Sequence, residues 1–110
     1  MKSNSMLLVM VSCQDESQAE RIGKQLIKKR LAACTQITPR VSSLFLWPPK
    51  ENNVKLADEA ILVIKTLENK WKDVEKEVQL LHTYENPEII GLPVTHVSDA
   101  YFKWLEAELS

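Results

Sequence analysis

Thiol and imidazole groups are the side chains of this sequence best suited to bind a transition metal. The chain has two cysteines, Cys13 and Cys34, and two histidines, His82 and His96. Copper and zinc prefer such sulfur and nitrogen ligands, but the spacing of these residues matches no standard metal-binding motif. A thiol packed as a small hydrophobic group and a turn histidine hydrogen-bonded to backbone are the alternative interpretation. A weak Cu(II) site is compatible with either, because copper leads the affinity order of the divalent metals.

A second candidate is a pair of opposite charges on the third predicted strand. Glu59 and Lys65 are six residues apart, so both project from the same face of a sheet. Lys65 ends an apolar strand and could hold an anionic ligand. It could equally form an ion pair with Glu85 or Glu88 that serves assembly only. Both interpretations remain open at this stage.

No catalytic motif accompanies these residues. The chain has only two glycines, Gly23 and Gly91, and neither a glycine-rich phosphate loop nor a nucleophile elbow is present. Cys34 could pair with a histidine as a nucleophile, but the preceding Leu-Ala-Ala predicts a buried, inert thiol. We therefore expect a protein that is not an enzyme and requires no cofactor.

Composition and charge narrow the class of protein. With 110 residues there is room for one domain, residues 1–110. A formal net charge of −1 gives no basic surface for nucleic acid or an anionic membrane. No apolar run approaches the roughly 20 residues that cross a bilayer, and residues 1–12 are interpreted as a first strand rather than a signal peptide. Two cysteines are too few for a disulfide scaffold, so a reduced, cytoplasmic protein is expected.

Hydrophobic periodicity predicts the elements that position the candidate residues. Apolar or β-branched runs predict four strands, which are residues 6–11, 35–47 with a pause at Pro39, 59–66 and 88–94. Pro93 predicts an edge position for the last strand, and the polar residues 50–58 predict a hairpin tip. Spacings of three and four predict helices, with N-caps at Asp15, at Asn69, and at Ser98 or Asp99.

The resulting order, βαββαβ plus a terminal helix, predicts an α+β ferredoxin-like sandwich with an extended hairpin between the second and third strands. In such a fold both crossover helices cover one sheet face. Residues 7–11, 44–47 and 61–64 are nevertheless apolar on both faces of their strands. Leaving the second face in water would expose more apolar surface than monomers usually show. Other copies of the chain are the predicted cover; the alternative is a monomer in which the last helix folds across that face.

Several short motifs, spread over nearly the whole chain, resemble the CutA divalent-ion tolerance family. They are Ser12-Cys13-Gln14-Asp15-Glu16, Arg30-Leu31-Ala32-Ala33-Cys34, Ser43 to Trp47, Ile64-Lys65-Thr66, His82 to Glu88, and Tyr101-Phe102-Lys103-Trp104-Leu105. Each motif is short, but their order and separations are specific together. The sequence departs from the family pattern in Thr35-Gln36, usually Val-Asn, and in Pro48-Pro49, usually Glu-Gly. It also has Gln14 and Thr83 where the family usually has proline.

The resemblance implies a tight homotrimer with an architecture similar to the PII signalling proteins. It points to Cys13 and His82 as candidate ligands for copper or another divalent cation. It also implies a polar pocket between subunits near the turn before the fourth strand, with candidate lining residues Glu59, Lys65, Tyr84, Glu85 and Glu88. The candidate residues for trimer packing are Phe45, Trp47 and Trp104.

Three functions are therefore predicted as alternatives. The first is divalent-cation tolerance, a response to metal ions, by a non-enzymatic homotrimer that binds copper weakly. The second is a PII-like sensor that binds a small anion in intersubunit clefts and contacts a partner through its hairpin tips. The third is a purely structural trimeric scaffold.

Overall fold

A computed structural model describes residues 4–110 and consists of one antiparallel sheet with helices packed on it. The elements in chain order are β1 (Met6–Cys13), α1 (Glu16–Lys28), β2 (Cys34–Leu46), β3 (Val54–Leu67), a 3-10 turn (Glu68–Lys70), α2 (Trp71–Leu81), β4 (Ile89–Pro93) and α3 (Asp99–Leu109). The strands lie in the order β2-β3-β1-β4, and all neighbours are antiparallel. The predicted α+β fold is confirmed, and β4 is an edge strand as Pro93 indicated.

The main core lies between the sheet and the two crossover helices. Alternate residues of β1, such as Val9 and Val11, pack against Ile22 of α1 and Val74 of α2, and all four are fully buried. Helix α1 begins where predicted, because the Asp15 side chain accepts a hydrogen bond from the Gln18 backbone N–H at 2.8 Å. This cap fixes the point at which the chain leaves β1.

The opposite sheet face is only partly covered. Helix α3 buries Leu105 and Leu109 against Met6 and Leu67 at one end of this face. The side chains of Ile90 and of its strand neighbour Leu92 keep 45% and 41% of their surface in water. Helix α3 therefore leaves apolar side chains of this sheet face exposed, more than a stable monomer would be expected to show.

The β2–β3 hairpin projects from the body as an arm, defined here as residues 41–59. Leu44 pairs with Leu56 and Leu46 with Val54, and these four side chains are between 64% and 72% exposed. The molecule measures 47 × 27 × 23 Å with a radius of gyration of 15.0 Å, against about 13 Å for a compact chain of this length. The elongation is due to the arm.

The hairpin tip differs from the predicted residues 50–58. Residues 54–58 belong to β3, because cross-strand pairs with β2 extend the ladder beyond Glu59. The tip comprises residues 47–53, so Trp47 follows β2 rather than ending it. It is closed by a 3.1 Å hydrogen bond from the Trp47 N–H to the Asn53 carbonyl. Lys50 and Asn52 adopt left-handed backbone angles there, with φ of 65° and 53°.

The pause at Pro39 is a β-bulge rather than a break. The register between β2 and β3 shifts between Thr38 and Val41, and Arg40 has φ of 53°. Proline cannot donate to the ladder, so the pairing is interrupted where it would need that hydrogen bond. Strand pairing resumes at once, and β2 runs through the bulge as a single strand.

Three further boundaries differ from the prediction. Asn69 does not cap α2; it lies within the 3-10 turn, and neither that turn nor α2 has a side-chain N-cap. Strand β1 continues to Cys13, and β4 is limited to Ile89–Pro93. Ile27, whose spacing of four from Gly23 predicts the buried side of α1, is exposed near the end of that helix. Of the helices in residues 4–110, none has the length and hydrophobicity needed to cross a lipid bilayer.

Candidate functional site

Several predicted site residues meet at one rim of the sheet. This rim, defined here by Ser12, Cys13, Glu59, His82 and Tyr84, lies where β1 ends and α1 begins. The turn after α2 brings His82 and Tyr84 to it, and β3 contributes Glu59 beside the bulge. Side-chain hydrogen bonds connect these elements across up to 70 residues of sequence.

Both ring nitrogens of His82 are occupied by backbone groups. Nε2 lies 2.7 Å from the Ser12 carbonyl oxygen, and Nδ1 accepts the Tyr84 N–H at 3.1 Å. Because a carbonyl can only accept and an amide N–H can only donate, these partners select the neutral tautomer with its proton on Nε2. A metal could bind Nδ1 only by displacing the Tyr84 N–H.

Cys13 is a protonated, fully buried thiol. Its Sγ donates a weak hydrogen bond to the Val11 carbonyl at 3.9 Å. Burial, and then the negative charges of Glu59 and Asp15, raise the pKa of Cys13 to about 11, while Arg21 opposes the shift. Since the thiolate is the form that binds metal, Cys13 can act as a ligand only at the cost of releasing this proton.

A phenol–carboxylate pair closes the rim. The Tyr84 hydroxyl donates to Glu59 Oε2 at 2.7 Å, and Glu59 is only 7% exposed. Burial, followed by the hydrogen bond and charge of Glu59, raises the pKa of Tyr84. Nearby, the Ser12 hydroxyl donates to Glu88 Oε1 at 2.5 Å. Glu59 at the rim and Glu88 beside it thus accept hydrogen bonds from neutral donors, and neither forms a salt bridge within residues 4–110.

This distribution of charge favours a cation over an anion at the rim. Carboxylate oxygens, a thiol and an imidazole are all ligands for divalent metals. Within residues 4–110, however, no group of three His, Cys, Asp or Glu side chains is arranged to hold a metal ion. A site with more than two of these ligands would need a rearrangement or a second copy of the chain.

Lys65 and Glu85 are not part of this rim. Lys65 is six residues from Glu59 along β3, a separation of about 20 Å on an extended strand. Its Nζ lies 5.8 Å from the centre of the Tyr101 ring. The ion pairs of residues 4–110 are Lys29–Glu77 and Arg30–Glu108, so Lys65 reaches neither Glu85 nor Glu88 of its own chain. An ion pair between subunits stays a prediction.

The residues predicted to pack between subunits lie far from the rim. Phe45 is on the arm and is 38% exposed, and Trp104 on α3 is 43% exposed. Trp47 is half-buried in the tip of its own arm, where its carbonyl accepts a 3.1 Å hydrogen bond from Asn53 Nδ2. Phe45 and Trp104 keep apolar surface available for another copy.

Sequence reasoning missed Ser12, Gln18 and Thr83. Gln18 donates from Nε2 to Thr83 Oγ1 at 2.8 Å and is 1% exposed. A signal was present, because Gln18 is four residues before Ile22 and so lies on the buried face of α1, where a polar side chain requires a hydrogen-bond partner. Ser12 and Thr83 offered no such signal, since small hydroxyl residues are common in turns and at strand ends.

Comparison with known proteins places these features in a family context. The profile of the CutA1 divalent ion tolerance protein family matches residues 7–108. The divalent-cation tolerance protein CutA of Thermus thermophilus is 33% identical over 98 residues, which cover 89% of this chain and 92% of that protein. The crystal structure of CutA1 from Shewanella sp. SIB1 has a TM-score of 0.89 at 31% identity and covers 97% of each chain.

Some relatives are considerably longer. The chloroplastic protein CutA of Arabidopsis thaliana is 31% identical over 100 residues, which cover 91% of this chain but 53% of that protein. The chain likewise spans 63% of the CutA homolog of Danio rerio.

Proposed function

Because the chain belongs to the CutA1 divalent ion tolerance family, we propose that it serves divalent-cation tolerance as a non-enzymatic homotrimer with a weak copper site at the rim. Cys13 and His82 are the proposed ligands. The observation that carries this proposal is the rim itself, where a thiol and an imidazole lie beside carboxylates that form no salt bridge within residues 4–110. Such a set favours a divalent cation over an anion.

The hydrogen bonds of the rim support weak rather than tight binding. Copper would have to displace the Tyr84 N–H from Nδ1 of His82 or the Ser12 carbonyl from Nε2, and to remove the proton of a thiol whose pKa is raised to about 11. Each step subtracts from the affinity that the same ligands would have if exposed. The protein needs no resident cofactor in this scheme, and copper is a cargo or signal.

A copper titration with matched histidine variants tests the proposal. His82→Ala should weaken Cu(II) binding by tenfold or more, equivalent to about 1.4 kcal/mol. His96→Ala is the control, since His96 is exposed and follows β4 where that strand pairs with Leu7, at the end of β1 opposite to Cys13. Equal isotherms for wild type and His82→Ala would show that copper binds elsewhere and would reject the rim as the site.

A PII-like sensor remains the second candidate because of Lys65. This half-buried cation lies opposite Cys34 on the partly covered sheet face and forms no ion pair within residues 4–110. At a contact between copies it would offer positive charge to a small anion. Titration with a panel of nucleotides and small anions, repeated with Lys65→Met, distinguishes this function. If neither metal nor anion binds the trimer, the third candidate, a structural scaffold, is favoured.

The proposed location is the cytoplasm, where both cysteines would stay reduced. Relatives carry other descriptions: the Arabidopsis protein is called chloroplastic and the Archaeoglobus fulgidus protein periplasmic. Fractionation of cells that express the full-length protein would decide the location for this chain.

A further inference from the structure

Three side chains next to the rim form a closed circuit of hydrogen bonds. The Gln14 backbone N–H donates to Gln18 Oε1 at 2.8 Å, Gln18 Nε2 donates to Thr83 Oγ1 at 2.8 Å, and the Thr83 hydroxyl donates to Gln14 Oε1 at 3.0 Å. Every donor in this ring meets an acceptor, and the directions are mutually consistent. We refer to these residues as the polar ring. It joins the start of α1 to the turn that carries His82 and Tyr84.

The turn depends on side chains for its position. Within the described chain, residues 82–88 form one backbone–backbone hydrogen bond outside helices and strands. It joins the His82 N–H to the Val78 carbonyl. The remaining hydrogen bonds are those of His82 with Ser12, of Tyr84 with His82 and Glu59, of Glu88 with Ser12, and those of the polar ring. A segment without backbone ladders opens locally at low cost unless such contacts hold it.

We propose that Gln14, Gln18 and Thr83 are positioning residues that hold the turn 82–84 against α1 and thereby keep His82 in its single, fully hydrogen-bonded tautomer. Thr83 is the residue between His82 and Tyr84, so any movement of its backbone moves both neighbours. Gln18 is 1% exposed and its side chain is anchored at both ends. The buried Gln18 amide therefore restricts the movement of Thr83.

The polar ring is a property of this chain's own residues. Gln14 and Thr83 stand where the family pattern that the sequence resembles usually has proline, and their side chains are in direct contact. A proline at position 14 would have no N–H for Gln18, and a proline at position 83 would have no hydroxyl. The two departures from the family pattern, Gln14 and Thr83, therefore contribute to the same polar ring.

Thr83→Val is the decisive variant, because it removes the hydroxyl but keeps the branched shape. In metal-free protein, nitrogen NMR of the His82 ring should change from one Nε2–H tautomer to a mixture. Hydrogen exchange of the Tyr84 amide, which His82 Nδ1 protects, should accelerate at least tenfold. The amide of Val9, in the core of β1, reports any loss of global stability that the unpaired Gln18 amide causes, and Tyr84 exchange should accelerate at least tenfold more than Val9 exchange. Thr83→Ser, which keeps the hydroxyl, should restore both wild-type signals.

Gln14→Met provides a second, milder test. This exposed side chain can be replaced with little effect on folding, and its backbone N–H remains free to bind Gln18. Opening one bond of the ring should give a smaller acceleration of Tyr84 exchange than Thr83→Val. Unchanged His82 and Tyr84 signals in both folded variants would overturn the proposal. All readouts are taken without metal, so they are independent of whether copper binds at the rim.

Discussion

At the scale of single residues, the sequence indicated which side chains of the rim could bind a metal, but not their protonation or their hydrogen bonds. Cys13 and His82 were predicted as alternatives between ligands and packed structural groups, and the structure shows both in hydrogen-bonded, neutral forms. Neither form is written in the local sequence. The thiol is buried by residues of other elements, and one of the two His82 partners, the Ser12 carbonyl, is 70 positions away, so the state of these residues depends on tertiary contacts.

The raised pKa of Cys13 predicts an unreactive thiol at neutral pH. Relative to an ordinary cysteine with a pKa of 9.0, a pKa of about 11 lowers the thiolate fraction roughly a hundredfold. Alkylation by iodoacetamide should therefore modify Cys34 first and reach Cys13 only in strongly alkaline solution or after unfolding. Peptide mass mapping after timed labelling would measure this. Fast labelling of Cys13 at pH 7 in folded protein would contradict the burial described here.

The same shift gives a pH dependence of stability. A thiol whose pKa is higher in the folded than in the unfolded state stabilises the fold fully below pH 9, and this contribution is lost as pH rises towards about 11. The raised pKa of Tyr84 acts in the same direction. Urea unfolding at a series of pH values should show stability falling over this range, with a smaller fall in Cys13→Ala. A Cys13→Ala protein with the wild-type slope would exclude Cys13 as the cause.

Removing the Tyr84 hydroxyl should show how much its hydrogen bond to Glu59 contributes to the free energy of unfolding. Tyr84→Phe leaves a nearly buried carboxylate without its donor, which should cost about 1–3 kcal/mol of unfolding free energy. Tyr101→Phe is the matched control, since the contact of Tyr101 described here is made by its ring with Lys65. Chemical denaturation of the two variants compares them directly; equal stabilities would show that water satisfies Glu59.

At the scale of elements, hydrophobic pattern predicted which segments are strands and helices but not where the hairpin turns. Apolar runs and helical stripes are local properties, and all seven predicted strands and helices are present. The polar residues 54–58 gave a false loop signal, because strand pairing with Leu44 and Leu46 overrides their weak propensity. Asn69 gave a false cap for a similar reason: the chain enters α2 through a 3-10 turn that needs no side-chain cap.

Trp47, in the tip of the arm, is expected to contribute to contacts between subunits. Trp47 follows the exposed residues of the arm, and its half-buried ring has apolar surface left for a neighbouring subunit. Trp47→Ala should weaken assembly by about 3–5 kcal/mol, shared among the contacts of each interface. Dissociation on dilution or mild heating should be seen by light scattering. Leu80→Ala, at an exposed position on α2, the helix that packs on the covered face of the sheet, should leave assembly unchanged. A Trp47→Ala protein that assembles as well as the Leu80→Ala protein and the wild type would exclude Trp47 from the interface.

At the scale of the whole molecule, uncovered apolar surface is the main feature of an isolated chain. The arm exposes Leu44, Leu46, Val54 and Leu56, and the open sheet face exposes Ile90 near the free edge of β4. Surfaces of this kind mark interaction sites in soluble proteins. The sequence predicted this from the absence of alternation in its strands, and the exposure confirms that α3 alone does not provide the cover.

Light scattering measures the assembly directly. At micromolar concentration the protein should scatter as a particle of three times the chain mass of 12.6 kDa. The reason is that closed symmetric assembly buries the same apolar patches on every copy. A stable particle of the chain mass alone would refute both the trimer and the interpretation of the exposed arm.

The β-bulge at Pro39 and Arg40 also constrains how the gene can change in length. From Thr38 to Val41 strand β2 takes three steps, while its partner moves from Ile61 to Glu59 in two, so odd and even positions of β2 exchange faces at the bulge. Leu44 and Leu46 share a face with Leu56 for this reason. Inserting or deleting a single codon in β2 between the bulge and Leu44 would turn these leucines over. Changes of two codons in each strand would preserve their faces, so the arm can be lengthened or shortened in such paired increments.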